Sequence, residues 1–216
     1  MSNILYLHGF ASSPESTKSK FFYRNFAMIG GEVHTPDLAR GNFEGLTLTG
    51  QLVAIDEAVK RLRPQLLIGS GMGAYLAALY AVRCAARVPA LVLLAPAMAM
   101  ARRMAQTLGP AGMEAWKQNG TRLVYHHGET DHRPVGYQLY EDAAQYEDYP
   151  EITQPTLIFH GRLDEVIDPE TVLDFSWGKP NVTLELVDSG HQLLDVLDMI
   201  WERVAVLYQT LEPLPG

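Results

Sequence analysis

The sequence predicts an α/β protein built on a mostly parallel sheet flanked by helices. Two observations carry that prediction. Short β-rich runs alternate with helical stretches along most of the 216 residues, the pattern of strands joined by crossover helices. Several of those runs are apolar throughout, as strands covered on both faces must be. A third observation qualifies the picture. The alternation breaks between Ala97 and Pro150, which marks residues 97–150 as an inserted cap segment within one domain spanning 1–216.

The strands are expected at Ile4–Leu7, Glu32–Thr35, Gln65–Ile68, Leu91–Leu94, Thr156–His160 and Thr183–Val187. The helices are expected at Ser16–Met28, Thr49–Leu62, Gly73–Cys84, Pro169–Phe175 and Leu194–Leu207. In the second helix Leu52, Ile55, Val59 and Leu62 recur at helical spacing, while Asp56, Glu57 and Lys60 fill the other face. Within the inserted segment, "RLVYHH", "GETD" and "HRPVGYQLY" read as a hairpin. Its methionines and aromatics suit a malleable wall over an apolar ligand. The tail "LEPLPG" is expected to be loose.

Bulk properties exclude several functions. Apolar residues make up 47%, enough for a sizeable core. The net charge is −8 and no lysine or arginine run occurs, which argues against a nucleic-acid partner. The single cysteine, Cys84, excludes an internal disulfide framework and lies in a helical run as a small hydrophobe. The N-terminus lacks a signal-peptide pattern, and no apolar stretch reaches the ~20 residues of a membrane span. A cytoplasmic protein without a membrane partner is expected.

Three loops at strand C-terminal ends bear the chemistry, since ligands of an open parallel sheet bind at that edge. In "YLHGFASSP" a strand runs into His8-Gly9-Phe10; His8 reads as a structural turn histidine. In "QLLIGSGMGAYLAALYAV" a strand turns through Gly69-Ser70-Gly71-Met72-Gly73 into a helix. Such a turn aims free amides at one point, a setting for an oxyanion or a phosphate. The Gly-Lys-Ser/Thr ending of a phosphate loop is absent, as is the acidic residue of a dinucleotide fingerprint. In the third region, "LIFHGRLDEVI" puts Asp164 just past one strand and "LELVDSGHQLLD" puts His191 just past the next. Adjacent loops thus bring a carboxylate to an imidazole, where it fixes the tautomer and stabilises the imidazolium.

With these motifs in place the chain resembles the α/β-hydrolase superfamily, and within it the small bacterial serine carboxylesterases. "LHGFASSPESTKSK" is similar to the oxyanion loop, "GSGMG" to the nucleophile elbow, "HGRLDEVI" to the acid loop and "DSGHQL" to the histidine loop. The likeness covers nearly the whole chain and lacks the superfamily's two leading strands. It implies Asp164 as triad acid, His191 as base, and the amides of Phe10 and Met72 as the oxyanion hole. It implies hydrolysis of small acyl esters through a Ser-His-Asp triad, without a cofactor.

The chain departs from the pattern at the attacking atom, because the nucleophile position falls on Gly71. Ser70 is one residue early, and in the elbow only the central side chain projects toward the histidine. The elbow strains its central residue, which glycine relieves. The chain is therefore expected to be an inactivated variant, a pattern that fits an engineered knockout and a natural non-acylating relative alike. Two alternatives stand beside this: a non-catalytic ligand-binding protein of the same fold, and a lyase or oxygenase using His191–Asp164 as a general base. Met98, Met104 and Trp116 are expected to line the substrate pocket, with the loop Phe10–Glu15 as the other candidate selector. The cluster His126, His127, Glu129, Asp131 and His132 is expected to be a solvated hairpin tip, not a metal site. Arg102 and Arg103 are expected on a solvated helix face.

Overall fold

The computed structural model describes residues 2–211, so most of the expected loose tail, 212–216, lies outside the described residues. Strands β1 (Ser2–Leu7), β2 (Gly31–His34), β3 (Leu66–Ser70), β4 (Leu91–Leu94), β7 (Thr156–Gly161) and β8 (Val182–Val187) form one six-stranded sheet in the order β2-β1-β3-β4-β7-β8. Every pairing in it is parallel. Each expected strand is present, Leu91–Leu94 with the expected bounds and the others with ends shifted by no more than two residues.

Alternation along β1 shows how the sheet is covered. Leu5 and Leu7 pack with α2 (Leu48–Leu62) and α3 (Met72–Arg83) on one face. Ile4 and Tyr6 pack with Phe22 and Phe26 of α1 (Thr17–Met28) and with Ile200 and Val204 of α7 (Leu197–Thr210) on the other. Side chains alternate across a strand, so period 2 divides the core into two layers. Helix starts are capped as their residues predict: the side chains of Ser16 and Thr47 accept from the Ser19 and Gly50 amides. Helix α6 (Pro169–Ser176) starts from Asp168 with Pro169 in its first turn. The expected final helix begins three residues late, after a 3₁₀ turn at Leu194–Val196.

Between β4 and β7 the chain leaves the sheet. It forms α4 (Met100–Asn119), the antiparallel hairpin β5 (Thr121–His126) and β6 (Asp131–Gly136), and α5 (Gln138–Ala143). Helix α4 bends at Gly109, whose φ of 63° is left-handed, followed by Pro110. The hairpin has the expected first strand, but its second strand stops at Gly136 and the "QLY" run opens α5 instead. The His127 amide donates to the Ala11 carbonyl at 2.7 Å. This bond ties the hairpin tip to the loop after β1. Among the described residues no helix is long and apolar enough to cross a membrane.

Candidate active site

A single residue, Gly71, separates β3 from α3. Its φ and ψ are 57° and −118°, a conformation that strains any residue with a Cβ by about 1–3 kcal/mol. The flanking glycines are required for another reason. A Cβ on Gly69 would come within 2.5 Å of the Ala74 Cα, and one on Gly73 within 2.2 Å of the Leu7 carbonyl oxygen. Helix and strands therefore close on the turn only if both positions lack side chains. A Cβ on Gly71 meets nothing so close: it would lie 3.9 Å from the Gly9 Cα and 4.0 Å from His191 Nε2.

The His191 ring is held from its other side. Its Nδ1 lies 2.9 Å from Asp164 Oδ2. Oδ1 of Asp164 accepts from the Val166 and Ile167 amides at 2.9 and 2.8 Å. Burial alone would raise the Asp164 pKa. The His191 hydrogen bond and the two amides outweigh that effect and hold the carboxyl below its ordinary value. Asp164 is 8% exposed, whereas His191 opens onto a cavity of about 950 Å³.

A second histidine, which sequence reasoning missed, also reaches the acid. His160 is fully buried at the end of β7; its Nε2 is 2.9 Å from the Ile167 carbonyl oxygen and 3.2 Å from Asp164 Oδ2. Both neighbours are acceptors, so Nε2 carries the proton. Burial lowers the His160 pKa and keeps the ring neutral. Spacing in "FHGRLD" was the available signal, but a strand residue's burial does not reveal its partner.

The remaining sequence-predicted residues fall as follows. Phe10 and Met72 border the cavity, and among the described residues neither amide is paired with another backbone group. Ser70 is buried at the end of β3 beside the Tyr6 hydroxyl and borders the same cavity as His191. His8 is buried and neutral, its pKa lowered by burial, with Nδ1 3.1 Å from its neighbour's carbonyl oxygen and Nε2 facing the Leu38 amide. Met104 and Trp116 line the cavity, Trp116 donating to the Val135 carbonyl at 3.0 Å. Met98 does not line it: it is fully buried in the core, because the chain leaving β4 passes inward before α4 turns out.

Two expectations for the inserted segment also change. Arg103 is half-buried on the cavity wall and donates to the Val166 carbonyl at 2.9 Å, whereas Arg102 is exposed on α4 as expected, paired with Asp148 at 3.2 Å. His126 is buried against Phe43 and not solvated. Among the described residues no group of His, Cys, Asp and Glu is placed to hold a metal ion.

No curated protein matches the chain in sequence. Its backbone is similar to that of α/β-hydrolase domain-containing protein 10 from mouse, at 17% identity, TM-score 0.82, covering 96% of this chain and 89% of that one. It is similar to Est1E from Butyrivibrio proteoclasticus, solved with ferulic acid bound, at 21% identity, TM-score 0.80, covering 97% and 88%. An esterase from Exiguobacterium antarcticum aligns at 17% identity and TM-score 0.67, covering 97% and 92%. Residues 3–207 match the model of a family described as "Uncharacterised protein family (UPF0227)". The chain thus has the α/β-hydrolase fold and belongs to the uncharacterised family UPF0227.

Proposed function

We propose that this site is that of a carboxylic ester hydrolase for small acyl esters, with Gly71 standing where a serine nucleophile would attack. The supporting observation is the 4.0 Å separation between an ideal Cβ at position 71 and His191 Nε2. A serine Oγ extends about 1.4 Å beyond its Cβ and would come within hydrogen-bonding reach of that nitrogen. In this reading His191 is the base and Asp164 orients it. The amides of Phe10 and Met72 receive the oxyanion. Residues 97–150 act as a cap whose Met104 and Trp116 face the acyl group. As it stands, the chain binds esters and turns them over very weakly, because glycine supplies no nucleophile.

Gly71→Ser should raise hydrolysis of p-nitrophenyl acetate by several orders of magnitude. Removing a triad serine lowers turnover by about 10⁶ in a well-studied serine protease. A fluorophosphonate probe should label the Gly71→Ser variant on the introduced hydroxyl and nothing in the present chain. A folded variant with neither activity nor label would rule the reading out. One observation favours a second reading: without a side chain at 71, His191 Nε2 faces open cavity, where it can activate water or a bound acid directly. Residual turnover that survives in the present chain and disappears in His191→Ala would support that general-base role.

A further inference from the structure

We propose that the cavity binds an organic anion, an ester or related ligand bearing a carboxylate or phosphate, held by Lys18, Arg103 and Arg122. Only the word "ester" rests on the hydrolase reading; the anion site stands on the charge distribution. Among the described residues five basic side chains are half-buried: Lys18, Arg103, Arg122, Arg133 and Lys179. Arg133 pairs with Glu129 and Lys179 with Glu151. The other three have no ion pair among the described residues, and all three line the one cavity. The remaining unpaired cations, Arg24, Arg61, Arg63 and Lys117, are exposed, where solvent satisfies them.

Withdrawing a cation from water without a counter-ion is unfavourable. General basicity does not explain three such groups in one place, since the protein carries a net charge of −8. The carboxylates that line the cavity do not compensate them: Glu15 is engaged by Lys20 at 3.3 Å, and Glu165 is exposed. Asp164, which does not line the cavity and is hydrogen-bonded to His191, attracts Lys18 and Arg103 but does not offset their burial.

The three cations come from three elements, and neutral partners hold each in place. Lys18 Nζ, from α1, donates to the Gln192 carbonyl at 2.9 Å. Arg103, from α4, donates to the Val166 carbonyl at 2.9 Å. The Arg122 guanidinium, from β5, lies 5.5 Å from the Trp116 ring centroid. Gln192 adjoins His191, and Val166 is two residues past Asp164, so two of the charges flank the histidine–aspartate pair. Burial pushes the Lys18 ammonium down to about 8 and lowers Arg103, with only the charge of Asp164 opposing. Both directions are those of cations lacking an anion. Guanidinium groups favour planar, bidentate anions, while Met100, Met104 and Leu108 on the same wall favour an apolar body.

Calorimetric titration of the present chain with phenylacetate, phenyl phosphate and neutral methyl phenylacetate tests this without requiring turnover. The anions should bind at least about tenfold more tightly than the neutral ester, and about 0.5 M salt should erode the difference. Lys18→Met and Arg122→Gln should each weaken anion binding by about ten- to a hundredfold and leave the neutral ester unaffected. Arg122 holds no backbone group in place, so its variant keeps the test valid if the Lys18 or Arg103 changes disturb the loops. Preference between carboxylate and phosphate identifies which anion the site is built for. Neutral ester binding as tightly as the anions, anions failing to bind, or both variants binding unchanged would overturn the proposal. Failure of the hydrolase reading appears separately, as an inactive and unlabelled Gly71→Ser protein that still binds anions.

Discussion

At residue 71 the conformational and chemical requirements oppose each other. A φ of 57° favours glycine, whereas the 4.0 Å approach to His191 Nε2 suits a serine. Gly71→Ser should therefore lower stability by about 1–3 kcal/mol while supplying the missing nucleophile. Gly69→Ala and Gly73→Ala should be worse, because their added Cβ atoms meet backbone at 2.5 and 2.2 Å. We expect losses at or above the ~3 kcal/mol upper range of overpacking, measured by urea unfolding. Equal losses at all three glycines would contradict this account of the turn. His160 makes a second residue-scale case. Its Nε2 proton goes to the Ile167 carbonyl while the ring lies 3.2 Å from Asp164 Oδ2, so it is expected to act as a positioning residue for the acid loop. His160→Leu should reduce stability by about 1–3 kcal/mol, as for a buried carbonyl left without its donor. In the Gly71→Ser background it should lower kcat with KM unchanged, and His160→Gln should restore part of the rate. A change confined to stability would leave His160 with a packing role alone.

At the scale of elements, what was legible in the sequence is what local pattern dictates. The six sheet strands follow from apolar runs bounded by turn residues. Asp164 and His191 meet because they lie in the loops that follow the neighbouring parallel strands β7 and β8. Beyond the helix face expected at Arg102 and Arg103, the extent of α4 was not legible, because Gly109-Pro110 interrupts its periodicity and gives a loop-like signal. The second hairpin strand ends earlier than its residues suggest, because "VGYQLY" is as β-prone as it is helical, and tertiary packing of α5 against α2 and α4 decides. The contrast between Met98 and Met104 has the same origin, since six residues of spacing do not reveal which way the chain turns after β4. It gives a prediction. Met98→Ala should cost about 2–5 kcal/mol, as for a buried large-to-small change, without altering acyl preference in the Gly71→Ser protein. Met104→Ala should instead shift that preference toward bulkier p-nitrophenyl esters, in a graded way, since a methylene in an apolar pocket is worth about 1–3 kcal/mol. If Met104→Ala lowers stability and leaves the acyl profile as it was, the α4 wall does not select substrate, and the loop Phe10–Glu15 becomes the place to look.

Over the whole molecule, buried ionisable groups set the pH range of stability, and none of them was evident from spacing alone, because burial is a tertiary property. His8 and His160 have folded pKa values below the ordinary 6.5, first because of burial. The unfolded chain takes up those protons first, so their contribution is present above pH 6.5 and is lost as pH falls below it, by at most about 1.4 kcal/mol per pH unit for each. Asp164, held below 3.8, adds a further loss at lower pH. Lys18 acts in the opposite window. Its folded value of about 8 lies below the ordinary 10.5, so between those pH values the unfolded state holds the extra proton and stability rises with pH. Above about pH 10 the trend reverses, because burial raises Tyr6, Tyr75 and Tyr80 and the unfolded chain ionises first. Lys18→Met isolates its own contribution. At pH 7 the variant should melt at a higher temperature than the present chain, because it no longer holds an ammonium away from water. That advantage should shrink between pH 8 and 10.5 as the lysine neutralises. Thermal melts of both proteins from about pH 6 to about pH 11 measure the difference directly. A pH-independent gap would mean that Lys18 is better solvated than its place on the cavity wall implies. A gap that closes, together with weaker anion binding by the variant, would show stability given up to hold a charge for a ligand.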